Sequence, residues 1–253
     1  RPIRLMTGAL YLVGTPIGNL GDLSPRAAAV MAAADRIVAE DTRRTLRLLN
    51  ALGISKPMIS YHEHNQSRRG PELVGRLQAG ETLALVSDAG MPCISDPGED
   101  LVRLCVENDI PVVIVPGPTA ALSALATSAL QTHRFAFDGF LPAEGKERRI
   151  RLAEVAAEAR TIILYEAPHR LRRTLTDLTA QGLGTRYISI ARELTKRYET
   201  VLRLTVDEAA AFYQTKDPKG EYVLILEGLE AFRQRCPNMT TGENGGAEDR
   251  FGS

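Results

Sequence analysis

The stretch LYLVGTPIGNLGDLSPRA, residues 10–27, decides the fold class. It opens with a short apolar run typical of a buried strand. It closes with Ser24 and Pro25, a pair typical of a helix N-cap and first helical position. Gly14, Gly18 and Gly21 lie between the two. A strand that runs through glycines into a helix is the usual way in which an α/β protein brings its backbone close to a ligand.

The spacing of these glycines excludes two familiar nucleotide-binding loops. They are arranged as G-x-x-x-G-x-x-G with no lysine after them. A dinucleotide fold requires G-x-G-x-x-G, and a phosphate loop requires G-x-x-x-x-G-K-[ST]. From the loop alone two interpretations stay open: it contacts a ligand, or it is only a strand-to-helix turn with Ser24 as the cap.

The composition is that of an ordinary globular protein. The chain has 253 residues, 44% hydrophobic and 25% charged, which suits one large domain or two smaller ones. Its 31 basic and 31 acidic residues give a formal net charge of zero. Because a neutral chain has no global field to attract nucleic acid, such a partner would have to be held by local patches.

Cysteine usage and hydropathy favour a cytoplasmic protein. Cys93, Cys105 and Cys236 are odd in number and lack C-x-x-C spacing, which argues against a disulfide framework or a structural zinc site. No run approaches the roughly 18 apolar residues of a membrane span, and the N-terminus lacks the apolar core of a secretion signal. We expect no membrane partner.

The order of apolar runs predicts two α/β lobes. In residues 1–132 five runs alternate with helical patterns, which is typical of a mostly parallel sheet covered on both faces. In residues 133–230 some runs follow each other without a helix, which predicts hairpins and a mixed sheet. Residues 231–253 lack periodic apolar positions and are predicted to be a disordered tail. Two lobes imply a cleft between them.

Polar loops follow the predicted parallel strands, at the edge where ligands gather in such sheets. The longest is LVSDAGMPCISDPG, residues 85–98, in which Ser87 and Asp88 stand at the end of a strand. Asp96, followed by Pro97, fits a helix N-cap equally well. The run VPGPTAALSALATSAL, residues 115–130, starts a helix with small residues that let a ligand approach, or that simply pack tightly.

Histidines and arginines give weaker signals. His62 and His64 lie two apart, which would place them on one side of an extended segment, but no third metal ligand is in reach, so we expect no metal. Arginine clusters occur at Arg68 and Arg69, in KERRIRL (residues 146–152) and in HRLRR (residues 169–173). Each cluster is either a solvated helix face or, on a neutral chain, a phosphate-binding patch.

Taken together, the segments resemble the tetrapyrrole methylase family. The blocks LVGTPIGNLGDLSPRA, AEDTRRT, HEHN, SDAGMPCISDPG, VPGPTAALSA, FDGFLP, LYEAPHRL, ARELTK and KGEYV occur in the family's order. They are similar to those members that methylate the ribose 2′-oxygen of a cytidine in 16S ribosomal RNA. The resemblance extends from residue 10 to about residue 228, and it does not include the helical extension with which many such members end.

The resemblance implies a two-lobed α/β fold that acts as a homodimer, with S-adenosylmethionine bound in the cleft between the lobes and 16S ribosomal RNA or the small ribosomal subunit as the partner. It also implies which residues contact the methyl donor. In the first lobe these are Ser87, Asp88, Ala89, Gly90, Ile94, Ser95, Asp96, Thr119 and Ala120. In the second lobe they are Tyr165, Glu166, Ala191, Arg192, Gly220 and Glu221.

A ribose hydroxyl needs a group that takes its proton during attack. Glu40 and Asp41 directly follow the apolar run 37–39, so we expect them at the carboxyl end of a strand, pointing to opposite sides. Asp41 also fits the N-cap of a helix starting at Thr42, which leaves Glu40 as the better candidate base. ARELTK adds Glu193 and Lys196, the latter as a phosphate ligand or as a base with a depressed pKa.

Two other classes of function remain open. The same fold could methylate a small molecule such as a tetrapyrrole precursor, although HEHN and the spread of basic clusters favour RNA. A protein that binds RNA without a working donor site is the non-enzymatic alternative, and it would fail to bind S-adenosylmethionine.

Overall fold

The computed structural model describes residues 3–239, and its contacts divide this part of the chain into two compact units. The first unit comprises residues 3–123 together with Glu193–Glu199, and the second comprises residues 124–192 and 200–239. The sequence placed the change of character at residue 132, nine residues later. It gave no sign that Glu193–Glu199 returns to the first unit.

The first unit contains a five-stranded, fully parallel sheet. Its strands are β1 (Leu10–Val13), β2 (Arg36–Ala39), β3 (Met58–Ser60), β4 (Leu83–Val86) and β5 (Val112–Val115), in the order β3-β2-β4-β1-β5. Its helices are α1 (Pro25–Ala33), α2 (Thr42–Ala51), α3 (Gln66–Gln78), α4 (Glu99–Glu107) and α5 (Ala120–Thr127), the last of which ends in the second unit. The predicted βα rhythm is confirmed.

Helices cover both faces of this sheet, which explains why its strands are apolar throughout. Side chains of a strand alternate between faces, so Ala84 and Val86 of β4 pack with Met31 of α1. Leu83 and Leu85 of the same strand face the other way, toward Leu73 and Leu101 of α3 and α4. Two buried clusters therefore pack against the two faces of the sheet. The loops that follow its strands leave from the carboxyl edge.

Local signals fixed two helix starts correctly and one wrongly. Ser24 caps α1, since its Oγ accepts from the amide of Ala27 at 3.0 Å. Asp41 caps α2 through the amides of Arg43 and Arg44. The interpretation of Asp96 as a cap was wrong, because α4 begins at Glu99 after Gly98, whose φ of 130° suits glycine. Asp96 is thereby left in the loop before the helix.

The second unit contains a mixed sheet, as the sequence predicted. Its strands are β6 (Phe135–Phe140), β7 (Thr161–Glu166), β8 (Tyr187–Arg192), β9 (Thr200–Thr205) and β10 (Tyr222–Leu226), in the order β6-β7-β10-β8-β9. Only β6 and β7 pair in parallel; the other described pairs are antiparallel. Its helices are α6 (Gly145–Ala157), α7 (Pro168–Leu178), α8 (Val206–Thr215) and α9 (Leu229–Arg235).

The predicted tail starts too early. Residues 229–235 form α9, which buries Phe232. Arg235 ties this helix to the rest of the unit, because its guanidinium pairs with the buried Glu227 at 2.7 Å. A short 3₁₀ turn follows at Pro237–Met239, and the remainder of the predicted tail lies outside the described residues.

Among the helices of residues 3–239, none has the length and apolar character that a membrane crossing requires.

Candidate functional site

Three loops meet at the carboxyl edge of the parallel sheet. After β1, Thr15 exchanges two backbone hydrogen bonds with Gly90, of 2.9 and 3.1 Å, which ties the glycine loop to the loop after β4. A Cβ added to Gly14 would lie 2.6 Å from the Cα of Gly117, in the loop after β5. The first glycine of the opening motif therefore allows two backbones to touch, a structural task that the sequence alone left undecided.

The loop after β4 is held by its own serine. Buried Ser87 accepts from the amide of Ala89 at 3.1 Å and donates to the carbonyl of Gly90. Further along, Cys93 and Ser95 adopt positive φ angles of 73° and 53°. Strained residues of this kind occur mainly where the backbone must present particular groups. Here the strained turn presents the exposed Ile94 and Ser95, with the half-buried Asp96 next to them.

Carboxylates from two strand ends line one cavity in the first unit. The cavity has a volume of about 510 Å³, and Arg103 is the one arginine or lysine among the ten described residues that border it. The lining residues are Glu40, Glu63, Gln66, Ser95, Asp96, Pro97, Gly98, Glu99, Asp100 and Arg103. The predicted candidates Glu40, Ser95 and Asp96 thus come together at one place.

Burial and nearby carboxylates raise the pKa of two acid groups that border the cavity. Burial, then the nearby charges of Glu40 and Asp88, raise the pKa of Asp96 to about 7. Burial and the charge of Asp88 also raise the pKa of Glu40, against the lowering effect of His62 and Arg44. The site is therefore short of positive charge, and a bound cation would stabilise both carboxylates.

Asp41 has a different task from its neighbour Glu40. Its carboxylate caps α2, and its hydrogen bond from the amide of Arg43 is the main cause of its lowered pKa. Its own amide donates to Asp88 at 3.2 Å, and Arg44 lies 3.6 Å from the same Asp88 carboxylate. Asp41 and Asp88 therefore hold together the loops after β2 and β4, while Glu40 faces the cavity.

Glu193 and Lys196 lie in the first unit with the other catalytic candidates. The Nζ of Lys196 donates to Glu193 at 3.1 Å. Thr119 and Ala120 stand at the start of α5, where the hydroxyl of Thr119 accepts from the amide of Leu122. Apart from Thr119 and Ala120, the first-unit candidates lie in the loops after β2 and β4 or in the segment Glu193–Glu199.

Sequence reasoning missed the wall of the cavity that α3 and α4 provide. Tyr61, fully buried after β3, donates its hydroxyl to Asp100 in the first turn of α4. Burial and this hydrogen bond raise the pKa of Tyr61, so it acts as a donor. Glu63, Gln66, Glu99 and Arg103 also border the cavity. No local pattern marks these residues, because they depend on how α3 and α4 pack.

The second-unit candidates gather at one end of their own sheet. Tyr165 of β7 and Ala191 of β8 are both opposite Val223 of β10, which Gly220 and Glu221 precede. Arg192 donates to the carbonyl of Lys219 at 2.6 Å. Glu166 is buried and occupied within the unit, since it accepts from the hydroxyl of Thr174 and from the amide of Ala167. Its position supports the start of α7.

Arg148 fits neither of the two alternatives left open for its cluster, a solvated helix face or a phosphate-binding patch, because its side chain is buried. Its side chain is 3% exposed and binds Asp177, Thr174 and the carbonyl of Pro142 at 2.7–2.9 Å. Other arginines of the predicted clusters also have structural partners. Arg172 donates to the carbonyls of Tyr213 and Lys216, Arg173 to that of Ala143, and Arg69 to Glu72. Arg149 is exposed.

The two histidines do not lie on an extended segment, which corrects a second expectation. The amides of Asn65 and Gln66 donate to the carbonyl of His62, so this segment is a turn. The rings of His62 and His64 meet edge-on with centroids 6.0 Å apart. Within residues 3–239 no group of three histidine, cysteine or acidic side chains is arranged to hold a metal ion.

The comparisons with known proteins agree with this architecture. Residues 9–210 match the family model of the tetrapyrrole (corrin/porphyrin) methylases. A uroporphyrin-III C-methyltransferase from Thermus thermophilus, solved in complex with S-adenosyl homocysteine, shares the fold with a TM-score of 0.62 at 18% identity, over 88% of this chain and 99% of that one. The chain belongs to the tetrapyrrole methylase family, and it is a methyltransferase that depends on S-adenosylmethionine.

Closer relatives carry a more specific name. A protein of Synechocystis sp. named ribosomal RNA small subunit methyltransferase I is 52% identical over 87% of this chain and 79% of its own length. A protein of Thermotoga maritima with the same name is 46% identical over 88% of this chain, and the match covers its whole length. The second relative has no additional C-terminal extension beyond the matched part, so that name does not depend on one.

Proposed function

We propose that this chain transfers a methyl group from S-adenosylmethionine to the ribose 2′-oxygen of a cytidine in 16S ribosomal RNA. The observation that carries the proposal is the 52% identity, over 87% of the chain, to a relative named ribosomal RNA small subunit methyltransferase I. The first unit supports it, because the blocks that carry the resemblance form the carboxyl edge and the cavity. The proposed partner is this RNA or the small ribosomal subunit. We further propose that the protein acts as a homodimer in the cytoplasm.

The carboxyl edge fits the methyl donor chemically. S-adenosylmethionine carries a sulfonium cation and, when bound, would supply an electrophilic methyl group. Glu40, Asp88 and Asp96 provide negative charge there. Gly90 packs closely against the neighbouring loops, since a Cβ at this position would lie 3.2 Å from the carbonyl oxygen of Pro118 and from Ile17. We assign donor binding to the first-unit set Ser87–Asp96 with Thr119 and Ala120, and to the second-unit residues named above.

The chain's own groups supply what a ribose hydroxyl lacks. Such a hydroxyl attacks only if its proton is removed, and a carboxylate with a raised pKa is a better base than one with the ordinary value. Glu40 has this property and faces the cavity. Lys196 supplies a positive charge, directed by its bond to Glu193, that can hold the neighbouring phosphate. We propose Glu40 as the proton acceptor and Lys196 as the group that orients the RNA.

Glu40→Gln and Lys196→Ala are each expected to lower the rate of methyl transfer at least about tenfold, the low end for proton-transfer and positioning groups. Donor affinity should stay nearly unchanged in Lys196→Ala, whereas Glu40→Gln removes one of the acidic groups near the sulfonium and should weaken donor binding, which saturating donor offsets. Single-turnover rates at saturating donor and RNA measure this, with Glu107→Gln, an exposed carboxylate on α4, as the control. Near wild-type rates in both variants would eliminate these roles and leave Asp41, Glu193 or positioning alone.

The substrate is tested directly by incubating the protein and labelled donor with isolated 30S subunits or with naked 16S RNA, then mapping the label. Label on a cytidine 2′-oxygen is the expected result. Label only on a tetrapyrrole precursor offered in parallel would overturn the proposal in favour of a small-molecule methylase. Failure to bind the donor in equilibrium dialysis would favour a protein that only binds RNA.

A further inference from the structure

The segment Glu193–Glu199 is a closed turn that leaves the second unit and packs in the first. Its amides bond within the segment: Lys196 to the carbonyl of Glu193 at 3.0 Å, and Glu199 to that of Lys196 at 3.2 Å. Glu193 and Thr195 adopt left-handed φ angles of 53° and 68°. Two such residues within three positions cost energy, and they persist only where the surroundings dictate the conformation.

The surroundings in question include Gly18. A Cβ added to Gly18 would lie 2.9 Å from Cε of Lys196, closer still to its Cγ, and 3.1 Å from Oγ1 of Thr195. The aliphatic stem of Lys196 therefore lies across the Cα of Gly18, in space that any other residue would fill. The ammonium at the end of this stem is the group that bonds to Glu193.

The glycine loop cannot easily yield to a side chain at Gly18. Thr15 is bonded on both sides to Gly90, and Gly14 touches Gly117 through its backbone. The stem of Lys196 can move more easily than this backbone, because its four carbons are joined by rotatable bonds. A methyl group at position 18 would therefore displace Lys196, and it would also strain the backbone, because Gly18 has a φ of 159° that side-chain-bearing residues rarely adopt. The Lys196→Ala background keeps this second effect and removes the first.

We infer that Gly18 is a positioning residue for methyl transfer: it has no side chain so that the stem of Lys196 can lie on the glycine loop, which fixes where the ammonium sits. This inference rests on the role proposed for Lys196. In the G-x-x-x-G-x-x-G pattern, the second glycine, Gly18, therefore supports catalysis by positioning Lys196, whereas the first, Gly14, allows two backbones to pack.

The test is Gly18→Ala in the full chain. Because groups misplaced by about 1 Å can cost up to a hundredfold in rate, we expect the single-turnover rate to fall about tenfold or more, with donor affinity unchanged. Gly75→Ala is the matched control: it makes the same change in the exposed part of α3, where a Cβ meets nothing within 4 Å. Its rate should equal that of the wild type.

A double-mutant cycle separates positioning from a general defect. In a Lys196→Ala background there is no stem to displace, so adding Gly18→Ala should change the rate less than about twofold. An equal loss in both backgrounds would overturn the inference, because Gly18 would then act independently of Lys196. An unchanged rate for Gly18→Ala alone would overturn it as well, provided that Lys196→Ala lowers the rate.

A second readout does not depend on the reaction. The rate at which acetic anhydride modifies Lys196, followed by peptide mass spectrometry, should rise several-fold in Gly18→Ala and stay constant in Gly75→Ala, since the displaced amine loses its contact with Glu193. If RNA methylation is absent or Lys196→Ala is fully active, the proposed function or the role of Lys196 fails. The labelling result then still decides whether Gly18 positions the side chain. Unchanged labelling in Gly18→Ala would overturn that placement.

Discussion

Arg148→Ala is expected to lower the free energy of unfolding of the second unit by about 3 kcal/mol, a value typical of breaking a buried ion pair from one side. The variant leaves the carboxylate of Asp177 without its nearest cation and removes donors from Thr174 and the carbonyl of Pro142. Because α6 and α7 meet through this arginine, their amides should lose protection first. Denaturant titration, with hydrogen exchange to locate the change, measures both effects.

Arg149→Ala supplies the comparison on the same helix turn. Its side chain is exposed, so stability should be unchanged, while any effect on RNA binding should appear as a smaller slope of affinity against salt. Equal stability of the two variants would contradict the structural role of Arg148. A reduced salt slope in Arg148→Ala, with stability intact, would restore the phosphate contact that the sequence suggested.

Donor affinity is expected to fall close to tenfold for each unit by which the pH is lowered below about 7, and to be constant above that pH. The reason is Asp96, whose pKa of about 7 follows from burial and from Glu40 and Asp88. A cationic donor stabilises the ionised form, so binding below this pKa releases a proton and costs affinity. Calorimetry from pH 5 to 8 measures the slope. In Asp96→Asn the slope should be lost, whereas Glu107→Gln should keep it.

Ionisation of Asp96 has the opposite effect on the stability of the protein without donor: it favours donor binding but destabilises the fold. Its folded pKa is raised above the ordinary 3.8, so its contribution to stability is complete below pH 4 and is lost as the pH rises through about 7. Asp96→Asn avoids that loss and should melt at a higher temperature than the wild type at pH 8, with little difference at pH 4. A lower melting temperature at pH 8 would show that ionised Asp96 is stabilised within the fold.

Periodicity, strand-end position and helix caps predicted most of the first unit. The apolar runs named all five parallel strands, and Ser24 and Asp41 were identified as possible caps from residue type alone. The position of Glu40 at the cavity followed from one rule, that the carboxyl ends of parallel strands share an edge. These features depend on neighbours in sequence or on the general pattern of parallel sheets, so they can be predicted from one amino-acid sequence.

What sequence could not predict depends on long-range packing. Arg148 stands among exposed charges in KERRIRL, and only the meeting of α6 with α7 shows that it is buried. Tyr61 and Asp100 are 39 positions apart, and nothing local pairs them. Gly98 displaced the predicted helix start because its backbone conformation, not the proline before it, ends the loop. The contact between Gly18 and Lys196 spans most of the chain.

The return of Glu193–Glu199 to the first unit sets an order of events during synthesis. The parallel sheet is complete once Val115 has been made, but the ammonium of Lys196 arrives about 80 residues later, after β6, β7 and β8 have been translated. An amino-terminal fragment that ends before residue 193 can hold the acidic cavity and still lack this cation. With Lys196 in its proposed role, such a fragment would lack both this cation and the donor contacts proposed for Gly220 and Glu221, so neither full donor binding nor turnover is expected of it.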